Sequence, residues 1–251
     1  MALQSERSLD RIHLLRDLSS EERRAVAARC RWQRYSGGRL LIEHGSRGSE
    51  VLFIVEGRVR VLGPSSYARE VVYAEIGAGG QVGELAAVDG GPRSASVVTV
   101  GDCLIAALST SDFHRLIADH TSVALALLQD FARMLRAADV RIAEISTMGA
   151  TERVCRELLR NARSSAQPDL LVINELPTQE LLASVTGTTR ETVAKIVAQL
   201  AHAQIVRRVR RRLEILRPAA LRTMAGLEPV PLPHRRPELV AGDRRSQRGD
   251  L

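Results

Sequence analysis

Apolar residues recur along this chain in successive rhythms, and each predicts a different kind of element. Between residues 9 and 31 they fall at Leu14, Leu15, Leu18, Val26, Ala27 and Cys30, the spacing of one or two amphipathic helices. Ser19, Ser20, Glu21 and Glu22 supply a helix start within that stretch, hydroxyls followed by acids. From 32 to 108 the texture changes to short β-rich runs at 40–42, 51–55, 59–62 and 71–73, broken by glycines such as Gly38, Gly45, Gly57 and Gly63. Strands punctuated by turns roughly every eight to twelve residues predict a β-roll or barrel.

A long helical stretch is expected from Ser111 and Asp112 to about residue 148. Within it Thr121, Ala124, Leu128, Phe131, Leu135, Ala138, Ile142 and Ile145 alternate spacings of three and four. A seam of that kind predicts a coiled-coil dimer; a long helix lying on the β-roll is the alternative, and it favours a wider apolar stripe. Arg133, Arg136 and Arg141 flank the seam as solvated charges. Residues 147–149 read as a hinge. Beyond it the pattern predicts a helix over 152–159, a polar loop over 161–168, a strand over 170–173 and two short helices over 178–185 and 189–201. The second of these places Val193, Ile196, Val197 and Leu200 on one face, and Gly187 lies in the turn between the two, the form of a helix-turn-helix. Residues 206–217 interleave apolar positions with arginines, which suggests a hairpin wing, although no glycine marks its tip.

Composition adds partners to this outline. The chain has 251 residues and a net charge of +7, enough for one or two domains and a basic surface suited to a polyanion. Lys195 is the only lysine among 36 basic residues, a skew that reflects genome base composition as much as function. Cys30, Cys103 and Cys155 are far apart and the six histidines are scattered, so the cysteines read as small core residues and no metal, iron–sulfur cluster or haem is expected. No apolar run reaches the roughly 18 residues of a membrane span, and no signal segment opens the chain, so a cytoplasmic protein without a membrane partner is expected. Asp89 and Glu75 read as solvated carboxylates. No nucleophile–base pair stands out, and an enzyme is not expected.

Two stretches carry chemistry. In 82–97, Gly83, Glu84 and Leu85 open a short turn that closes through Gly90, Gly91, Pro92, Arg93 and Ser94. Backbone amides in such a turn can hold an anion, Arg93 adds a charged fork and Ser94 a hydroxyl. Glu84 repels a phosphate but suits a ribose hydroxyl on the same ligand. The combination resembles the phosphate-binding cassette of the cyclic-nucleotide-binding domain, patterned Phe-Gly-Glu-Leu-Ala, a short helix, then Pro-Arg-Ser/Thr-Ala; Val82 replaces the aromatic. In the second stretch, Thr189, Arg190, Glu191, Thr192, Val193, Ala194 and Lys195 resemble the recognition helix of the CRP/FNR regulators. By that resemblance Arg190, Glu191 and Lys195 read bases of TGTGA-like half-sites, while Thr178, Gln179 and Thr189 hold phosphates. Glu191 also fits a capping box with Thr188. Arg208 and Arg210 belong to the arginines that would clamp DNA phosphates from the wing.

The resemblance covers roughly 10–217 and implies an α+β chain. It comprises a cyclic-nucleotide-binding β-roll at 9–110, a dimerisation helix at 111–148, a winged helix-turn-helix at 150–217 and a disordered proline- and arginine-rich tail at 218–251. Its implied partners are an operator in double-stranded DNA, a second copy of the chain and RNA polymerase, with cAMP or cGMP as allosteric effector. The cAMP-responsive relatives place a Thr-Ser pair against adenine; here Ala138 and Asp139 stand at those positions. Asp139 is open between accepting two hydrogen bonds from guanine and being a solvated charge beside the seam. Two other classes stay open: a regulator that binds DNA without nucleotide, and a signalling module that does not bind DNA.

Overall fold

The structure, a computed structural model, describes residues 7–48, 50–64, 71–165, 167 and 169–227. Leu9, Ile12, Leu14, Leu15 and Leu18 are buried ahead of helix α1 (Ser20–Arg29). The expected start signal operates: the Ser19 hydroxyl accepts from the Glu22 amide, and the Glu22 carboxylate accepts from the Ser19 amide at 2.7 Å, a reciprocal cap that satisfies two orphan donors.

The β-rich run then forms β1 (Arg31–Tyr35), β2 (Leu40–Ile42), β3 (Glu50–Glu56), β4 (Arg58–Gly63), β5 (Val71–Gly77), β6 (Gln81–Val82), helix α2 (Glu84–Asp89), β7 (Ser96–Thr99) and β8 (Cys103–Ser109). These strands make two antiparallel sheets, ordered β1-β8-β3-β6 and β2-β7-β4-β5. Strand β3 reads as a continuous apolar run because residues 51–55 are all buried. Its odd side chains pack with the N-terminal segment, and Leu52 and Ile54 pack between the sheets. Glu75 corrects an expectation. Its side chain is 10% exposed and accepts from Arg60 at 2.8 Å, with Arg58 at 3.4 Å; cross-strand arginines neutralise it, so it is not a solvated carboxylate. Cys103 and Cys155 are buried and Cys30 packs on the core. Burial pushes the Cys30 thiol up to about 12 and Cys155 to about 11, as apolar surroundings do to a thiol.

The expected single long helix is two. Helix α3 (Thr110–Asp119) is capped by Ser109, and the chain breaks at His120 in an extended conformation before α4 (Thr121–Thr147). The break turns Val123, Ala126 and Leu127 into the β-roll core, while the His120 ring faces the Glu22 carboxylate at 3.5 Å. The seam is divided as well. Leu128, Leu135 and Ile142 are 63%, 65% and 65% exposed, an unpartnered apolar row. Phe131 packs instead against the chain's own β-roll core.

Helix α4 ends at Thr147, and the chain passes through an extended Met148. The C-terminal domain follows as α5 (Ala150–Asn161), β9 (Arg163–Ser164), β10 (Leu171–Ile173), α6 (Gln179–Val185), α7 (Arg190–His202), β11 (Val206–Val209), β12 (Arg212–Ile215) and α8 (Pro218–Met224). The hairpin closes without glycine because Arg210 itself adopts the left-handed conformation, φ 55°. Residues 218–227 correct the tail expectation. Pro218 starts a helix at a position that needs no amide donor, and Leu221 and Ala225 are fully buried in the domain core. Residues 228–251 lie outside the described residues. Leu221→Ala is expected to cost about 2–5 kcal/mol, read as a clear fall in the thermal midpoint of the full chain. An unchanged melt would remove α8 from the core.

Candidate functional site

Strand β6 delivers the chain to Gly83, whose φ of 89° is left-handed. A Cβ there would lie 2.4 Å from Arg93 Nη1 and 3.0 Å from the Glu50 carbonyl, so this position requires glycine on both counts. The turn then enters α2, ends in the left-handed Gly90 and returns Arg93 beneath itself. Arg93 is 5% exposed. Its guanidinium donates to the Gly83 carbonyl at 2.8 Å and to the Glu50 carbonyl at 2.6 Å, and Gly48 closes over it with no room for a side chain. Two of five donors are thereby engaged with the backbone, and Arg93 lines a cavity of about 520 Å³.

Gly83, Glu84, Leu85 and Ser94 line the same cavity. The structure therefore brings together the whole predicted group from the 82–97 segment. Glu84 Oε2 is buried and has no hydrogen-bond partner. Its carboxyl is pushed above the ordinary value, first by desolvation and then by the nearby Asp130 charge, against the pull of its own backbone amide and Arg93. Arg93 is pushed below its ordinary value by desolvation, opposed by Glu50 and Glu84. An orphaned buried acceptor beside a buried cation is a polar arrangement completed from outside the chain, and it fits a ligand bearing a hydroxyl and an anion.

Of the remaining walls only Val82 and Ala138 were legible in the sequence as site residues. Ile42, Val61, Ile76, Val82 and Val97 give an apolar floor, β5 adds Tyr73 and Ala74, and α4 adds Met134, Ala137, Ala138 and Arg141. A signal was present: 134, 137, 138 and 141 share one helical face. Asp139 is exposed and does not line the cavity of its own chain; it flanks the outward row of Leu135 and Ile142.

In the C-terminal domain Thr178 and Thr189 cap α6 and α7, each hydroxyl accepting from the amide three residues on, at 3.2 Å in both cases. A capping hydroxyl can still donate its own proton; the Thr189 hydroxyl also shares a hydrogen bond with that of Thr192 at 3.1 Å. The alternative box from Thr188 to Glu191 does not form, because the cap is Thr189 and its partner is Thr192. Arg190, Glu191 and Lys195 are exposed along α7 and Gln179 is half-buried at the start of α6. Arg190 pairs with Glu180 at 3.1 Å. On the wing Arg207 and Arg212 pair with Glu214, whereas Arg208 and Arg210 are exposed at and beside the tip.

The domains meet closely. Helix α6 packs against β5, the edge strand that also lines the cavity. Arg58 of β4 pairs with Glu175 ahead of α6. Glu144 of α4, 6% exposed, pairs with Arg156 and Arg160 of α5. Arg153 donates to the Thr186 carbonyl at 2.6 Å and the Gly187 carbonyl at 3.1 Å, and Ile145 lies against Gly187 in the helix-turn-helix turn.

Comparison with known proteins matches residues 32–120 to the cyclic nucleotide-binding domain and 152–224 to the Crp-like helix-turn-helix domain. The chain is 33% identical over 173 residues to the cyclic AMP receptor protein of Thermus thermophilus, covering 69% of this chain and 78% of that one. It is 29% identical over 168 residues to a CRP-like cAMP-activated global transcriptional regulator of Mycobacterium tuberculosis, covering 66% and 75%. A CooA mutant from Carboxydothermus hydrogenoformans superposes with a TM-score of 0.72 at 23% identity, covering 84% of this chain and 95% of that one.

Glu84 yields a test by linkage. Its folded pKa is raised, so the native state holds the proton more tightly than the unfolded chain does; the penalty is absent below the ordinary value of 4.5 and grows as pH rises through the folded value. Glu84→Gln without ligand is expected to raise the melting temperature at about pH 7 and to converge with wild type near pH 4. A lower melting temperature at the higher pH would show that the carboxylate is stabilised in the free chain.

Proposed function

Because the chain belongs to the CRP/FNR family of transcriptional regulators, as a regulator with a cyclic-nucleotide-binding domain and a helix-turn-helix, we propose that a cyclic purine nucleotide controls its reading of DNA. In this reading the nucleotide binds the β-roll, and a homodimer reads a TGTGA-like palindrome. The observation that carries it is the cavity. Arg93 and Ser94 supply donors suited to the cyclic phosphate, and the unpartnered Glu84 Oε2 supplies an acceptor suited to the ribose hydroxyl. The names of the Thermus and Mycobacterium relatives specify cAMP, which makes it the first nucleotide to test here.

The homodimer follows from the exposed row of Leu128, Leu135 and Ile142 on α4, an apolar stripe at heptad spacing that a second copy would bury. Two α7 helices held by such a pair would enter successive major grooves about 34 Å apart. Arg190 would grip guanine, Glu191 would accept from cytosine and Lys195 would reach guanine or phosphate. Thr178, Gln179, Thr189, Arg208 and Arg210 would hold the backbone. In the same assembly Asp139, beside the row, would face the partner's ligand.

Ligand control has a short route in this chain. Strand β5 is a wall of the cavity and also the surface on which α6 rests. Nucleotide can release α6 only to the extent that it binds the released state more tightly.

Anisotropy of a labelled TGTGA–TCACA duplex, titrated at one fixed salt concentration without ligand, with cAMP and with cGMP, tests the proposal. Tightening by nucleotide is expected; equal binding in all three arms would make the cavity structural, and no binding would discard the assumed operator. The Arg58–Glu175 pair is exposed and its loss changes little, on the order of 1 kcal/mol or less. Glu175→Ala is therefore expected to raise ligand-free DNA affinity by no more than about fivefold and to leave the nucleotide-bound affinity unchanged. A fall in ligand-free affinity would show that the contact supports the reading state.

A further inference from the structure

Arg141 was expected to be a solvated charge flanking the dimer seam, yet it is half-buried on the wall of the cavity. It has no hydrogen-bond or ion-pair partner among the described residues. Its guanidinium donors are therefore available to a molecule in the cavity.

Its position along α4 fixes which part of a ligand it can meet. The Asp130 carboxylate accepts from the Gln81 amide at 3.2 Å, and its charge acts on Glu84. That turn of α4 therefore stands beside the 82–97 segment. Arg141 lies eleven residues further on, roughly 16 Å along the helix axis at about 1.5 Å per residue. Helical side chains lean toward the N-terminus, so Arg141 reaches back over Ala137 and Ala138 toward the cavity's far end. The two alanines offer no hydrogen bond. The ring of Tyr73 lies over Gly63, and the Gln81 amide is engaged by Asp130. The α4 end of the cavity thus presents hydrogen-bond donors from Arg141 and apolar surface from the alanines and Met134.

We propose that Arg141 is the specificity-determining residue for the base of the effector, and that it selects guanine over adenine through O6 and N7. Arginine binds two adjacent acceptors with its planar fork. Guanine presents O6 and N7 side by side, whereas adenine presents N7 beside the N6 amino donor, which faces the guanidinium unfavourably. This inference rests on the cyclic-nucleotide reading of the cavity. It differs from an Asp139 readout, which would recognise guanine through its N1 and N2 hydrogens, and the difference is measurable.

Isothermal titration of the full chain with cGMP, cAMP and cyclic inosine monophosphate separates the possibilities. The inosine nucleotide keeps O6 and N7 and lacks only the N2 amine. Wild type is expected to bind cGMP and the inosine nucleotide within about threefold of each other, and both at least about tenfold more tightly than cAMP, the scale of one bidentate base contact. Arg141→Met, which keeps length and apolar contact, is expected to weaken cGMP and the inosine nucleotide about tenfold or more and to change cAMP by less than about threefold. Arg141→Lys, with a single point donor in place of the fork, is expected to fall between them. A wild-type preference for cAMP, or equal weakening of all three ligands in Arg141→Met, overturns the proposal. An inosine nucleotide as weak as cAMP overturns it in favour of the N2 readout. Binding of none of the three by wild type overturns the cyclic-nucleotide reading itself, and this inference with it.

Discussion

One helix has to satisfy three surfaces at once, and the arrangement of the molecule follows from how α4 divides its circumference. Its first turns place Val123, Ala126 and Leu127 in the β-roll core. Its middle turns close the cavity with Met134, Ala137, Ala138 and Arg141, and leave Leu128, Leu135 and Ile142 outward. Its last turns carry Glu144 to two arginines of α5 and Ile145 to the glycine of the helix-turn-helix turn. A rigid helix cannot rotate to improve one of these contacts without disturbing the other two. A change at the cavity wall would therefore have a physical path to the reading head through this one helix.

The second constraint is electrostatic. Arg93 is buried against backbone carbonyls, and one oxygen of the Glu84 carboxylate, Oε2, is buried without a hydrogen-bond partner. Desolvation disfavours the charged form of each, raising the pKa of Glu84 and lowering that of Arg93. A fold selected for stability alone has no reason to keep such a pair of desolvated groups. A ligand that brings a hydroxyl and an anion supplies what each lacks, so the strain in the free chain is converted into differential affinity for the bound state.

Much of this was legible in the sequence because it is local. The capping box at Ser19, the glycine turns of the 82–97 segment, the paired helices around Gly187 and the end of α4 near residue 148 depend on residues within a few positions of one another. What escaped depends on distant partners. Glu75 looked solvated because the arginines that neutralise it lie across a strand pair. The apolar rhythm of α4 was read as one seam, yet periodicity states only that a face is apolar, not which body covers it; Phe131 turned inward and Leu135 outward. Asp139 and Arg141 are two residues apart and about 200° apart around the helix at 3.6 residues per turn. Choosing between them as a cavity residue required knowing which side the β-roll occupied. The helix at Pro218 was hidden because it adjoins the proline- and arginine-rich stretch from Pro229, and only Leu221 and Ala225 bury fully in the core.

The reading head shows how a surface can be ready for DNA and still discriminate. Helices α6 and α7 are fixed by their threonine caps, so little ordering remains for DNA to impose. Arg190, the residue suited to a bidentate grip on guanine, is meanwhile paired with Glu180, and both partners are largely exposed. Such a pair contributes about 1 kcal/mol at most, whereas a well-formed arginine–guanine contact discriminates by about 1–3 kcal/mol. Exchanging one for the other is therefore favourable only where guanine stands in the right place. Against any other base Arg190 loses Glu180 and gains less, and the released carboxylate stands close to phosphate charge. In the proposed complex Glu180 would weaken binding to every sequence by a similar amount, and only the specific contact of Arg190 would overcome it. On the proposed reading, the sequence preference of the reading head would reside in that difference, and its general affinity would come from the arginines of the wing.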